Sequence, residues 1–336
     1  MDNGVHVSKP KLLIYIPCHK DFEMAFRNAD QLTKQFENLT QSNLDIQIVI
    51  SINGVKDFKN PRVISNTKIL HIEEVLGADA NIAKGFVLAL ETNPDYLWIL
   101  SANEDLVPDA IQNLQKMILH YPDSDLFVAN AAGRSGGLRL QNVFCDLPPL
   151  LALGLISGVI YNFNSTKGSF LQSTLFSWTG WGHLAVIQDF LTTHSDSKVT
   201  EFPDSNIYEK PYTYSPDATL EIGERVIVGN LYSHSFFGLP VLAYCLLQQN
   251  PKKLKQFQIE WFSHNWFKIR LFSTSATFGD ELTLRRSGWI KSIADTSFKS
   301  FTLVYVRYFV ARHIPIEKFQ NSKCAVKFLA LYKSKL

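Results

Sequence analysis

Five apolar residues, Tyr96 to Leu100, run straight into Ser101-Ala102-Asn103-Glu104-Asp105, and Pro108 follows closely. The apolar run is short for a helix and rich in β-prone side chains, so it predicts a buried strand. Pro108 stands where the first turn of a helix begins, and Ile111, Leu114 and Met117/Ile118 continue with a 3–4 spacing. A strand that ends in polar residues and feeds a helix belongs in an α/β sheet. In open sheets of that kind, ligands bind at the C-terminal edge of the strands. Two acids and an amide at that edge suit a hard divalent cation carrying phosphate oxygens. A solvated strand-to-helix loop contains the same residue types, so the segment does not decide the matter alone.

The flanking chain repeats the pattern. Lys11 to Pro17 predicts a strand, and Phe22, Phe26, Ala29, Leu32, Phe36 and Leu39 then mark one face of a helix. Asp45 to Ile52 predicts a second strand with Asn53-Gly54 as its turn, and Lys68 to Ile72 a third. Asp79 to Leu90 reads as a helix with Ala83, Phe86 and Leu90 inward, and Asp125 to Ala131 as the strand after the Tyr96 one. Strands alternating with helices imply a mostly parallel central sheet covered on both faces.

Composition narrows the class. With 46% hydrophobic and 19% charged residues, the 336-residue chain is a folded protein rather than a disordered one. The net charge of +2 conceals a division. Residues 251–336 carry 16 Lys/Arg against 5 Asp/Glu, while residues 1–250 carry 17 against 26. The basic segment calls for an anionic surface such as membrane phospholipid. It carries no known nucleic-acid motif, so no nucleic-acid partner is expected. Cys18, Cys145, Cys245 and Cys324 are far apart and read as free thiols rather than zinc ligands. The first ten residues are polar rather than signal-like. The apolar stretch Leu147 to Phe163 contains Pro148 and Pro149 and falls short of the roughly 20 residues that span a bilayer. The expectation is a cytoplasmic protein, peripheral on the inner face of the cell membrane.

The order of these pieces resembles the GT-A glycosyltransferases of the large family-2 type. The match runs over about residues 10–165. Ile16-Pro17-Cys18-His19-Lys20 stands at the first strand end and Ser51-Ile52-Asn53-Gly54 at the second. Gly77-Ala78-Asp79-Ala80-Asn81-Ile82-Ala83-Lys84-Gly85 matches in part a Gly/Asn helix start, and Trp98 to Asp105 matches an Asp-x-Asp-like strand end. The branch that includes abequosyltransferase-like O-antigen enzymes is the most similar. The resemblance implies a GT-A (Rossmann-like) domain over 1–239 and a basic, aromatic-rich helical region over 240–336. It also implies a nucleotide-sugar donor and a glycan or lipid-linked acceptor. Pro17, His19, Asn53, Asn81, Lys84, Asn103 and Glu104 would border the donor. Asp105 and Asn103 would hold Mn²⁺ or Mg²⁺, with Asp105 serving the chemistry. Two departures stand out: Ile52 replaces an acid expected after the second strand, and Asn103 replaces the first acid of the cluster. An amide oxygen ligates a cation without contributing charge, so the expected metal site is a weakened one.

Further candidates lie downstream. Arg134 and Arg139 bracket Gly136-Gly137 and read either as a diphosphate grip or as a solvated turn. Ser157-Gly158, in an expected strand from Leu155 to Tyr161, would let an acceptor approach the backbone closely. Trp178 and Trp181 beside glycines read either as a sugar-stacking platform or as core aromatics. His183 stands where the family carries a base, with Asp189 and Asp146 as rivals. Residues 195–230 read as loop with short strands. Val226 to Leu231 reads as one more strand, before an aromatic loop holding His234. From Pro240 on, aromatics such as Trp261 and Trp266 among lysines suggest helices at a membrane interface or a packing surface.

Two functions from different classes follow. One is an inverting glycosyltransferase that builds a surface glycan; the other is a non-catalytic, glycosyltransferase-like subunit that binds sugar, lipid or a partner enzyme. Asn103→Asp tests the metal placement: restoring the carboxylate should raise Mn²⁺ affinity, and an unchanged or lower affinity in a direct titration counts against it.

Overall fold

The computed structural model describes residues 9–19, 22–60, 63–74, 76, 78–130, 153, 156–194 and 196–209, and then 242, 243, 245–247, 250–254 and 257. The chain divides into two compact units, Met1–Pro216 and Asp217–Leu336. The boundary at 239/240 expected from the sequence lies outside the described residues. So do Arg134, Arg139, Asp146, the strand at Val226–Leu231, His234, Trp261 and Trp266. In the second unit, residues 251–254 are helical.

The first unit is built on a seven-stranded sheet in the order β3-β2-β1-β4-β6-β5-β7. Its strands are β1 (Lys11–His19), β2 (Asp45–Asn53), β3 (Thr67–Ile72), β4 (Tyr96–Ile99), β5 (Leu126–Asn130), β6 (Val159–Asn162) and β7 (Val199–Pro203). All neighbouring pairs are parallel except the two that β6 makes, with β4 and with β5. The helices are α1 (Phe22–Glu37), α2 (Ala78–Thr92), α3 (Ala110–His120), α4 (Phe163–Thr166), α5 (Leu171–Leu175) and α6 (Gly182–Thr193). The mostly parallel sheet with helices on both faces is the fold class expected from the alternating pattern.

Period-two alternation in β1 explains the two layers. Leu12, Ile14, Ile16 and Cys18 share a core with Ala25, Phe26, Ala29 and Leu32 of α1 and with Ile111, Leu114 and Ile118 of α3. The helix face forecast for α1 is the buried one, with Phe22, Phe36 and Leu39 packed partly exposed at its margins. On the opposite side of β1, the Tyr15 ring lies against Gly85 of α2. Phe86 of the same helix packs edge-on against Tyr161 and Phe170.

Two details differ from expectation. Ser157 and Gly158 lie in a single 3-10 turn, Ile156–Gly158, immediately before β6 rather than inside a strand. The stretch between β6 and α6 contains the short helices α4 and α5. Its apolar residues serve local turns, so no long period appears in the sequence. Among the described residues no helix is long and apolar enough to cross a membrane. Among the described residues Cys18 and Cys245 form no disulfide, and Cys145 and Cys324 lie outside the described residues.

The α2–β1 contact tolerates no added atom. A Cβ at Gly85 would stand 2.6 Å from the Tyr15 ring. Helix propensity favours alanine by about 1 kcal/mol at an interior glycine, whereas overpacking a core costs about 1–3 kcal/mol. Gly85→Ala should therefore lose up to about 2 kcal/mol net, read as a lower urea midpoint. A midpoint at or above wild type would show that Tyr15 has room to swing aside.

Candidate functional site

Strand length opens the site. In register, β1 runs beside β2 as far as His19 opposite Asn53, and Asn53 in turn lies opposite Ile72 of β3. On its other side β1 pairs with β4 only from Leu12 to Tyr15. The last residues of β1 therefore extend past the end of β4. Pro17, which has no N–H, falls in this overhang, where β4 no longer supplies a ladder partner. Asn53, Pro17, His19 and the segment after β4 thus share the C-terminal edge of the parallel strands. His19 is placed here by its backbone alone.

A buried amide fixes this edge. Asn81, in the first turns of α2, is 1% exposed. Its Oδ1 accepts from the Tyr15 hydroxyl at 3.0 Å and the Ser51 hydroxyl at 2.6 Å. Its Nδ2 donates to the Cys18 and Ser51 carbonyls, each at 3.2 Å. Asn53 is equally buried: Nδ2 donates to the Cys18 carbonyl at 2.9 Å, and Oδ1 accepts from the Leu76 N–H at 3.3 Å. Both asparagines were expected to border a donor. Their amides are engaged inside the protein, so they position the strand ends. Gly54 then turns the chain with φ 74°, a left-handed conformation that favours glycine. Its N–H reaches the Ile72 and Glu74 carbonyls. Lys84 lies one turn along α2 from Asn81, at intermediate exposure.

The acidic strand end is held from two sides. On α1, Arg27 Nη2 donates to Asp105 Oδ1 at 2.9 Å and to the Glu104 carbonyl at 3.4 Å. Its neighbour Asn28, fully buried, donates to the Ala102 and Glu104 carbonyls, both at 3.0 Å. From the other side, the Ser157 hydroxyl donates to Glu104 Oε1 at 3.0 Å and accepts the Ser101 N–H at 2.9 Å. The Ser157 carbonyl receives the Trp98 indole and the Tyr208 hydroxyl. Residues beyond β7 pair with the same segment through an antiparallel bridge between Leu106 and Tyr208. Burial raises the proton affinity of Glu104; the Ser157 hydrogen bond opposes this and the Asp105 charge adds to it. Burial raises the Tyr208 phenol well above its ordinary value, reinforced by the charge of Glu104. Asp204, in the turn after β7, is 5% exposed, and among the described residues its carboxylate oxygens have no hydrogen-bond partner.

The expected acceptor residues are divided. Ser157 and Gly158 are buried, and Ser157 belongs to the acidic cluster. Gly180 takes φ 79° after the turn Ser177–Thr179, and α6 starts two residues later. His183 lies in the first turn of α6, 4% exposed, with its ring centroid 6.0 Å from that of Trp181. This group packs toward α2. Trp178 is placed by its backbone alone. Asp189 accepts from the Gln172 side chain at 3.2 Å.

Arg27, Asn28, Tyr208 and Asp79 were not singled out from the sequence. The contacts of Arg27, Asn28 and Tyr208 join positions tens of residues apart, and no local spacing signals them. The donor set also bears on the expected cation. Asn103 is exposed and neutral, the Asp105 carboxylate meets a guanidinium, and the Glu104 carboxylate meets a hydroxyl. Among the described residues no group of three or more His, Cys, Asp or Glu could hold a metal ion. The set at Asn103 and Asp105 does not fit a resident divalent cation.

No protein-family model matches the chain, and no curated protein matches it. Among solved structures, S. aureus TarS superposes with a TM-score of 0.52 at 11% identity, over 90% of this chain and 54% of TarS. The chain thus spans about half the length of that protein. TarS 1-349 in complex with UDP-GlcNAc gives a TM-score of 0.49 at 10% identity, covering 90% of this chain and 89% of the other. The mannosyltransferase PcManGT from Pyrobaculum calidifontis, in complex with GDP-Man and Mn²⁺, gives 0.43 at 10% identity, covering 91% and 86%. These last two scores add nothing to the assignment. The first establishes the fold, which is the α/β fold of GT-A-type glycosyltransferases, and does not single out the abequosyltransferase-like branch.

One carboxyl at this edge gives a measurable signature. Burial pushes Asp79, in the first turn of α2, up to about 6 from its ordinary 3.8, against a hydrogen bond from its own backbone N–H. The folded state then holds this proton more tightly than the unfolded chain does. Its contribution to stability falls as pH rises from about 4 to about 6 and stays lower above that. Asp79→Asn should remove this fall, gaining about 2 kcal/mol on wild type between pH 4 and pH 7 in urea denaturation. Parallel pH profiles for the two proteins would contradict it.

Proposed function

We propose that this chain is a glycosyltransferase that moves a sugar from a nucleotide-sugar to a hydroxyl of a surface glycan such as an O-antigen, capsule or lipo-oligosaccharide. The observation that carries the reading is the charged strand end. Glu104, Asp105 and Arg27 meet at the C-terminal edge of the parallel strands of a GT-A-type sheet. That edge is where open α/β sheets take their ligands.

In the proposed inverting step, the acceptor oxygen forms a bond to the anomeric carbon. The bond from that carbon to the diphosphate oxygen breaks, and its electron pair leaves with the nucleoside diphosphate. The acceptor proton passes to a base. The proposal assigns this base to His183, beside Trp181, with Glu104 as its rival at the strand end. Pro17, His19, Lys84, Asn103 and Glu104 border the donor in this reading, while Asn53 and Asn81 act by holding the backbone around it. Ser157, Gly158, Trp178 and Trp181 line the acceptor side. The basic region 240–336 supplies contact with a membrane surface, where a lipid-linked acceptor is met.

A second reading has two observations in its favour. Ile52 is fully buried where the resemblance places an acid, and Asn103 supplies no charge. Both suit a non-catalytic subunit that binds sugar, lipid or a partner enzyme. Purified protein mixed with a panel of nucleotide-sugars, with and without Mn²⁺, separates the two. The transferase reading expects nucleoside diphosphate release from at least one donor. No release and no thermal shift with any nucleotide would favour the binding subunit.

A further inference from the structure

We propose that Arg27 is the cation of this site: it binds the diphosphate of the donor directly, so that the reaction does not depend on a divalent metal. The inference rests on the transferase reading above. Its basis is the arrangement around Asp105. The carboxylate expected to hold a metal is met by a guanidinium at 2.9 Å. Asn103 contributes no charge, and Glu104 is turned toward the Ser157 hydroxyl. Cation affinity at oxygen sites follows the number of charged ligands, and here that number is low. With Asp105 already balanced by Arg27, little net negative charge remains to attract a dication, whereas a diphosphate meets less repulsion.

The geometry leaves Arg27 able to act. Among the described residues every hydrogen bond of its guanidinium runs through Nη2, to Asp105 Oδ1, the Glu104 carbonyl and Asn28 Oδ1. Nε and Nη1 carry the remaining N–H groups of a planar fork that matches phosphate oxygens. The side chain is 49% exposed and lines an open cleft of about 530 Å³ between α1 and the start of α3, with Asp30, Gln31, Lys34, Pro108 and Asp109 among the other walls. An ion pair as exposed as this one contributes little to stability, so its guanidinium exchanges partners readily. Asp105 then aims the side chain, while Asn28 and Ser157 keep the loop from following it. When the bond from the anomeric carbon to the diphosphate oxygen breaks, the guanidinium lies beside the charge that develops on the leaving oxygen.

The experiment is nucleoside diphosphate binding to the full chain by calorimetry, with UDP and GDP as probes, in EDTA and in millimolar Mn²⁺. Wild type should bind one of them with affinities within about threefold of each other in the two buffers, since the charge-assisted contact comes from Arg27. Arg27→Gln should weaken binding about 10- to 100-fold in EDTA, as expected for loss of a hydrogen-bonded charge, and Arg27→Lys should recover part of it. A thermal melt close to wild type shows that Arg27→Gln is folded, and the wild-type comparison stands without any variant. Wild-type binding that vanishes in EDTA overturns the inference and leaves the transferase reading intact. So does Arg27→Gln binding as tightly as wild type in EDTA. No binding of either nucleotide in either buffer overturns the transferase reading for these nucleotides, and this inference with it.

Discussion

Asn81 donates to the Cys18 and Ser51 carbonyls and accepts the Tyr15 and Ser51 hydroxyls, so one amide pins the ends of β1 and β2 to α2. Every group in that network is buried, and an unmatched partner there would cost about 1–3 kcal/mol. The network also depends on shape. The Tyr15 ring, whose hydroxyl reaches Asn81, lies against Gly85 one turn along the same helix, where a Cβ would stand 2.6 Å from it. Asn53 adds a second fastening from the Cys18 carbonyl to Leu76, which leads into α2. The C-terminal edge of the sheet is therefore firmly held on the β2 side, because its polar groups are consumed internally.

The β4 side is organised differently. There the backbone of residues 101–107 is carried by side chains from α1 and from the turn before β6, and by pairing with the chain beyond β7. Its charges remain at the surface, paired through an exposed contact. A firm backbone under exchangeable charges is the arrangement that preorganised electrostatics needs: the framework does not reorganise when the charge moves. Glu104 sits between these regimes, its carboxyl half-withdrawn and its carbonyl fixed from α1.

The layers were legible because alternation in β1 and the 3–4 spacing in α1 and α3 are local signals. Pro108 marked the entry to α3 to within two residues. The placing of Asn103, Glu104 and Asp105 at a strand end also followed from the polar break after Leu100. The roles of Asn81 and Asn53 did not follow, because an amide at a helix start has the same sequence signature whether it faces ligand or backbone. Arg27 lies 78 residues from Asp105, and no periodicity connects them. Ser157 looked like a small residue in a strand; its hydroxyl serves Glu104, 53 residues earlier. The antiparallel direction of β6 was equally hidden, since a four-residue apolar run reads the same both ways.

That reversed strand has a consequence for how the polypeptide assembles. Among the described strands of the sheet, β6 alone joins β3-β2-β1-β4 to β5 and β7. During synthesis from the N-terminus, the β6-facing margins of β4 and β5 stay unpaired until residues 159–162 emerge, and the other margin of β5 until residues 199–203 do. Unpaired margins of this kind invite association with other nascent chains. Strand β4 is only four residues long, which limits how much of such a margin the ribosome-bound intermediate offers.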